Sequence, residues 1–260
     1  MSMSELSLTQ LAPTIAAALG LPAPNGCRQD AGAPKAIPEI VADLQGAERL
    51  AVLAPDALGM HPFTLWRHEM PFLDGLHRRH SLVLRAVMPT ITPVNFSTMV
   101  TGAELDVHGM QSRESDFQCE TLFDIVRAHG GRSAGVGRVG YTGSMILARF
   151  ADLQGTAESN TDAEVEQITL AFARAQLPEF VIVQLGSTDD VFHQYGPSSA
   201  EALPVVRETD ERLGRMVEEL VGLGYAVIVT ADHGQHDCDR GGTHGSDADE
   251  DALVPCTWLA

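Results

Sequence analysis

The chain is poor in basic residues. Seventeen Lys and Arg stand against 35 Asp and Glu, a formal net charge of −18 over 260 residues. Such a surface repels nucleic-acid backbone and anionic membrane, which argues against a nucleic-acid duplex or a membrane as partner. An acidic chain can still act on phosphates where bound cations invert the local field. Cysteine is scarce too: Cys27, Cys119, Cys238 and Cys256 are scattered, with no CxxC. Reduced thiols and a cytoplasmic location are the simplest reading. No apolar run approaches the ~20 residues of a membrane span. The opening MSMSELSLTQ lacks the basic start and apolar core of a signal peptide. No internal repeat and no extended low-complexity tract is evident.

What is present is ordinary globular composition, 44% hydrophobic and 20% charged. Short apolar runs at Arg49–Ala54, Ser81–Val87, Arg132–Gly137, Phe180–Leu185 and Ala226–Ala231 read as strands. Their near-continuous apolar character suits strands buried on both faces of a parallel sheet. Helical spacing recurs over Leu8–Leu19, Leu65–Arg79, Cys119–His129, Asp162–Gln176 and Ala200–Leu223, the last stopping at Gly222 and Gly224. This alternation predicts an α/β fold, a doubly wound, mostly parallel sheet sandwiched by helices. One domain over 1–260 is expected, with 1–40 as an N-terminal helix plus Pro- and Gly-rich linker and 234–251 as loop.

In open α/β sheets ligands bind beyond the carboxyl ends of the strands. Five clusters fall there. Asp56 (LAVLAPDALG) is either a metal ligand or the N-cap of the next helix. Thr92 (MPTITPVNFSTMVTG) is either a cap or a nucleophile at a helix N-terminus, where exposed N–H groups favour an alkoxide. Asn95, one turn on, could donate to a phosphoryl oxygen. Thr90, Ser97, Thr98 and Thr101 are rival hydroxyls. Asp189 and His193 (STDDVFHQYGP) share a helix face at i, i+4 and could chelate an ion, with Asp190 as the competing carboxylate. Asp232 and His233 (VIVTADHGQ) form the sharpest local signal. His244 (GGTHGSD) has no helical or strand role to explain it, whereas His236, Asp237 and Asp239 read as solvated or as standing behind the ligands, and the acidic run Asp247–Asp251 reads as solvated rather than as an extra cation site. Cys238 is a remote candidate ligand.

Taken in order, TITPVN…TG followed by HG, DxxxH ahead of GP, ADHG and THGSD resemble the alkaline phosphatase superfamily, most closely its nucleotide pyrophosphatase/phosphodiesterase branch. The resemblance implies two divalent metals, most commonly zinc, with manganese as the alternative. Asp56, Thr92, Asp232 and His233 would hold one ion, and Asp189, His193 and His244 the other. Mixed His and Asp donors suit those metals. Thr92 would be the nucleophile of a phosphoester hydrolase working through a covalent phospho-threonine, and Asn95 would touch the phosphoryl group. A small-molecule phosphodiester or pyrophosphate is the implied substrate; phosphomonoesters and phosphonates are the alternatives, and a non-catalytic metal-binding protein is the reading from another class. The sulfatase pattern C/S-x-P-x-R is absent, as are the Ser nucleophile and large inserted domain of a phosphoglycerate mutase.

Three departures stand out. Pro93 occupies the place where the phosphodiesterase branch usually has an aromatic residue. Only about 109–162 leaves room for a small cap, with Arg113, Arg138, Tyr141 and Arg149 as candidate substrate contacts. The N-terminal LSLTQLAPTIAAALGLPAP resembles a segment that relatives carry after the last strand. A helix over Leu8–Leu19 beside a Val254–Leu259 strand is therefore expected, as in a circular permutation.

Overall fold

Continuous apolar runs become the centre of a seven-stranded sheet in a computed structural model that describes residues 6–27 and 34–260. The strands are β1 (Leu50–Pro55), β2 (Ser81–Arg85), β3 (Ser133–Arg138), β4 (Leu153–Ala157), β5 (Phe180–Leu185), β6 (Ala226–Thr230) and β9 (Leu253–Leu259), in the order β2-β9-β6-β1-β5-β3-β4. β6, β1, β5, β3 and β4 run parallel, while β9 lies antiparallel between β6 and β2. A hairpin of β7 (His236–Cys238) and β8 (Gly241–Thr243) stands apart. Val52 pairs with Ile182 and Ile228 in register across the three central strands, and all three are fully buried. Each such side chain contributes about 1.5–3 kcal/mol of burial, so these strands form the rigid platform of the molecule.

Eleven α-helices occur among the described residues: α1 (Leu11–Ala18), α2 (Pro38–Leu44), α3 (Met60–Trp66), α4 (Pro71–His77), α5 (Thr92–Thr101), α6 (Leu105–His108), α7 (Leu122–Ala128), α8 (Asp162–Gln176), α9 (Ser187–Tyr195), α10 (Ala202–Gly222) and α11 (Asp249–Ala252). They flank the sheet in two groups: α10 packs on α4, α8 and α9, and α5 packs on α1 and α7. α10 buries Val205, Val206, Leu213, Met216, Val217 and Leu220 along one stripe. No helix among the described residues is long and apolar enough to cross a membrane.

The sequence expectations shift in four places. The single helix expected over Leu65–Arg79 breaks into α3, a 3₁₀ turn and α4, because Pro71 lacks the N–H of a helix interior and starts a new first turn instead. The stretch 109–162, expected as a small cap, supplies β3 and β4 to the sheet and leaves mainly 109–121 outside it. β4 (LQGTA) is polar because it is an edge strand with alternating burial. The segment 234–251, expected as loop, contains β7, β8 and α11.

The N-terminal segment reaches the β2 edge, where Ser7 bridges Arg85 in parallel. α1 rests on α2 and α5, and α2 meets β9, with Trp258 Nε1 donating to Asp43 Oδ2 at 2.8 Å. α1 is thus linked to β9 by way of α2, whereas the sequence expectation put the Leu8–Leu19 helix directly beside that strand. Of the Pro- and Gly-rich linker expected at the end of 1–40, residues 28–33 lie outside the described residues and the last three begin α2.

Candidate metal centre

β1 lies between β6 and β5, so the residues just beyond their carboxyl ends share one edge of the sheet. Asp56 follows β1 directly. Asp232 and His233 follow β6 after Ala231. Asp189 and His193 ride on α9, which begins two residues after β5. Thr92 opens α5. The loops after β1 and β6 meet through two glycines: a Cβ on Gly59 would lie 2.5 Å from Gly234 Cα, and one on Gly234 would lie 2.1 Å from the Glu250 carbonyl oxygen. Only hydrogen fits on either side, and this contact lets Asp56 and Asp232 converge.

In the first group His233 Nε2 lies 3.2 Å from Asp232 Oδ2 and 3.5 Å from Asp56 Oδ1. Thr92 Oγ1 lies 3.1 Å from His233 Nε2 and 3.5 Å from Asp56 Oδ1. All four side chains are buried. In the second group Asp189 Oδ1 lies 3.3 Å from His193 Nε2 and 3.7 Å from His244 Nε2, and those two nitrogens face each other at 3.1 Å. The His233 and His244 rings stack at 4.0 Å between centroids, so the groups adjoin. All seven expected ligands are therefore in one place.

The three imidazoles share one arrangement. Nδ1 of His193 faces the Gly242 carbonyl at 3.3 Å, that of His233 the Gly234 carbonyl at 3.0 Å, and that of His244 the Thr90 carbonyl at 2.7 Å. A carbonyl can only accept, so in the neutral ring Nδ1 carries the hydrogen and Nε2 presents a lone pair to the cluster. Metal-binding histidines are commonly oriented this way.

The electrostatics fit cations. Burial, reinforced by the charges of Asp232 and Asp189, pushes Asp56 well above the usual carboxylate range. Burial pushes Asp232 up to about 7. Burial opposes ionisation of Asp189 as well, but the neighbouring imidazoles, His193 foremost, hold it below its ordinary value. Asp189 in turn raises His193, whereas burial and then His233 bring His244 down to about 4. Asp189 Oδ1 and Asp232 Oδ2 are buried without a well-formed hydrogen bond. Ligand atoms of Asp56, Asp232 and His233 all lie within 4.8 Å of one another, as do those of Asp189, His233 and His244. Mixed nitrogen and oxygen donors with two orphaned carboxylate oxygens suit divalent zinc or manganese.

The rival residues are otherwise engaged. Ser97 and Thr101 donate to main-chain carbonyls within α5, Thr98 faces His108 Nε2 at 3.4 Å, and Thr90 donates to the Ser246 carbonyl at 2.8 Å. Asn95, expected at the phosphoryl group, instead closes the turn ahead of α5. Its Oδ1 accepts from Val87 N at 2.7 Å, and its Nδ2 faces the carbonyls of Val87, Pro89 and Ile91. Arg138 and Tyr141, expected to contact substrate, both bind Asp190, at 2.6 and 2.7 Å. That removes Asp190 as a competitor to Asp189. Arg149 is tied to Ser115 O and Asp116. Arg113 bonds Gly140 O and Thr142 Oγ1 and has no carboxylate partner among the described residues. Cys238 is exposed on β7 and stands outside the cluster.

Two supports were not foreseen. Gln184, on the inner end of β5, donates to Asp56 Oδ2 and accepts from Gly143 N. A lone amide inside the apolar run FVIVQL was its signal. Asp251, read as solvated, is fully buried: one oxygen faces His236 Nδ1 at 2.7 Å, and the other accepts from Ser246 N and Oγ.

A family model for type I phosphodiesterase/nucleotide pyrophosphatase matches residues 50–117 and 128–253. Alkaline phosphatase PhoK of a Sphingomonas species is 33% identical over 133 residues, 46% of this chain and 22% of that protein. Venom phosphodiesterase CdcPDE of Crotalus durissus collilineatus is 27% identical over 206 residues, 67% of this chain and 25% of the venom protein. The matches thus span about a quarter or less of these curated relatives. Among solved structures, murine ectonucleotide pyrophosphatase/phosphodiesterase 5 in complex with AMP superposes with a TM-score of 0.61 at 18% identity, over 74% of this chain and 59% of that one. Phosphonoacetate hydrolase from Sinorhizobium meliloti with phosphonoformate gives 0.57 at 20% identity, over 73% and 57%.

Proposed function

The chain belongs to the type I phosphodiesterase/nucleotide pyrophosphatase family, and from that premise we propose that it is a two-metal phosphoester hydrolase with Thr92 as nucleophile. Asp56, Asp232, His233 and Thr92 would hold one divalent ion; Asp189, His193 and His244 would hold the other. Zinc is the first choice and manganese the second. When bound, two such ions supply positive charge to the entering and leaving oxygens of an in-line displacement. A small phosphodiester or pyrophosphate is the proposed substrate class, and the cytosol is the proposed setting.

One observation carries the reading. Of the hydroxyls around the start of α5, Thr92 Oγ1 is the one that faces the ligand cluster, within 3.1 Å of His233 Nε2 and 3.5 Å of Asp56 Oδ1. The N-terminus of α5 favours negative charge developing beside it. In the proposed reaction a bond forms between Thr92 Oγ and phosphorus as the bond to the leaving oxygen breaks, and the Thr92 proton passes to solvent. Water then attacks phosphorus, the Oγ–P bond breaks, and Thr92 recovers a proton.

Arg113 supports a second reading. A guanidinium with no carboxylate partner among the described residues, on the 109–121 segment, could take a further anionic charge. Phosphomonoesters or phosphonates would then be preferred.

The test measures turnover of p-nitrophenyl phosphate against the p-nitrophenyl diester of thymidine monophosphate, with metal-stripped protein and Zn²⁺ or Mn²⁺ restored. Thr92→Ala should lower kcat by about 10³-fold or more, and quenched wild-type protein should carry the adduct on Thr92 by mass spectrometry. Full turnover by Thr92→Ala removes the nucleophile assignment. Metal binding with no turnover of any phosphoester or phosphonate favours the non-catalytic alternative. A monoester preference that Arg113→Ala abolishes selects the second reading.

A further inference from the structure

α9 carries two ligands of the second group, and the residues that fix it lie outside both groups. Asp162, the first residue of α8, reaches the start of α9: its Oδ1 accepts from Gly186 N and its Oδ2 from Ser187 N, both at 2.9 Å. Arg138, at the end of β3 and only 5% exposed, lies 3.6 Å from Asp162 Oδ1 and donates to Asp190 Oδ2 at 2.6 Å. Its guanidinium lies 4.0 Å from the centre of the Tyr141 ring, and the Tyr141 hydroxyl donates to Asp190 Oδ1 at 2.7 Å.

Adjacent helix positions point about 100° apart. Asp189 can therefore face the imidazoles while Asp190 faces Arg138. One i, i+4 pair, Asp189 and His193, points into the centre, and the residue between them is gripped from the other side. Buried charge networks of this kind are costly unless every member is paired. Here Asp162 satisfies two helix-terminal N–H groups, and Arg138 pairs with both carboxylates, by a hydrogen bond to the partly exposed Asp190 and by an ion pair to buried Asp162 that leaves its Nε without a hydrogen bond. The first group makes no such contact among the described residues: Asp56 follows β1, Asp232 and His233 follow β6 and Thr92 opens α5, and the group meets α9 through the Thr188 hydroxyl, which donates to the Asp56 carbonyl at 2.5 Å, and through His233, whose ligand atom lies within 4.8 Å of that of Asp189.

We propose that Arg138, Asp162, Asp190 and Tyr141 form a clamp of positioning residues that sets α9, and so sets the affinity of the second ion without setting that of the first. The inference rests on the two-ion reading above. These residues act through Asp189 and His193 and touch neither ion nor substrate.

The test titrates Zn²⁺ into the metal-stripped full chain against a chromophoric chelator, so binding is read without turnover. Wild-type protein should bind two ions in resolvable steps. Asp190→Asn and Tyr141→Phe, which keep side-chain shape, should weaken one step by about 10-fold and leave the other unchanged, as removal of partners behind a ligand does. Arg138→Ala should weaken the same step by up to about 100-fold, with partial recovery in Arg138→Lys. Thermal melts identify any variant that fails to fold; if Arg138→Ala is one, the other two decide. Two unchanged steps in Asp190→Asn and Tyr141→Phe overturn the clamp. Equal weakening of both steps overturns it too, because that marks a general loss of structure. Wild-type protein that binds fewer than two ions overturns the two-ion reading and this inference with it.

Discussion

Replacing Gly234 with alanine tests whether the centre depends on backbone contact between the loops that follow β1 and β6. The new Cβ would sit 2.1 Å from the Glu250 carbonyl oxygen, a main-chain atom that cannot rotate away. Restoring ordinary contact needs a retreat of roughly 1 Å in a close-packed region. Gly234 follows His233 directly, and its amide donates to the Asp251 carbonyl at 2.7 Å, so the retreat moves a ligand. Overpacking of this kind costs about 1–3 kcal/mol of stability, and a displacement of about 1 Å at a reacting group can cost about 10²-fold in rate. Chemical denaturation should show the stability loss. Zn²⁺ titration should show weaker binding at the step that Asp190→Asn leaves untouched. Gly59→Ala should do the same from the other side, where its Cβ would meet Gly234 Cα at 2.5 Å. Wild-type stability and wild-type affinity at both steps in Gly234→Ala would refute the reasoning.

Three further outcomes are expected. Gln184→Leu leaves the buried Gly143 N–H without its partner and takes a donor from Asp56; a cost of about 1–3 kcal/mol should appear in urea denaturation, and an unchanged midpoint contradicts it. His108 is fully buried, and burial lowers it from 6.5 to about 4, so below pH 6.5 the unfolded chain takes up a proton that the folded one refuses. Its stabilisation is present above pH 6.5 and is lost as pH falls towards 4, about 3 kcal/mol in all; stripped wild-type protein should lose more stability over that window than stripped His108→Gln, and parallel curves sink the assignment. Zn²⁺ in hundredfold excess over its Kd should stabilise the fold by about 2.7 kcal/mol per ion, visible as a Tm that chelator lowers; no shift argues against metal in the folded state.

The platform was legible because its strands are buried on both faces, so LAVLAP, FVIVQL and AVIVT read as near-continuous apolar runs. β4 escaped notice for the opposite reason, being an edge strand with a polar face and Gly155 in its middle. The candidate ligands were legible because strand ends gather them, and His and Asp next to glycine have few structural duties in such loops. The DxxxH spacing chose Asp189 but left Asp190 as a competitor, since only the fold puts Arg138 and Tyr141 beside Asp190. Nor could it show that Asn95 spends its amide on the turn of 87–91, because a side chain closing a turn and one awaiting a ligand have the same residue type and spacing. The burial of Asp251 was hidden in the run DADED, four of whose residues are exposed.

Each imidazole of the centre leans on a main-chain carbonyl, of Gly242, Gly234 or Thr90. A carbonyl belongs to the peptide and survives any change of side chain. No point substitution can delete these three partners, whereas the amide behind Asp56 is Gln184 and one codon change removes it. The nitrogen donors are therefore sheltered from mutational drift, as is Asp232, whose Oδ1 accepts from the Ala57 main-chain N–H at 3.2 Å, and Asp56 is not. Directed evolution of this scaffold towards a new substrate has the freest hand on the 109–121 segment, where changes leave all three carbonyls in place.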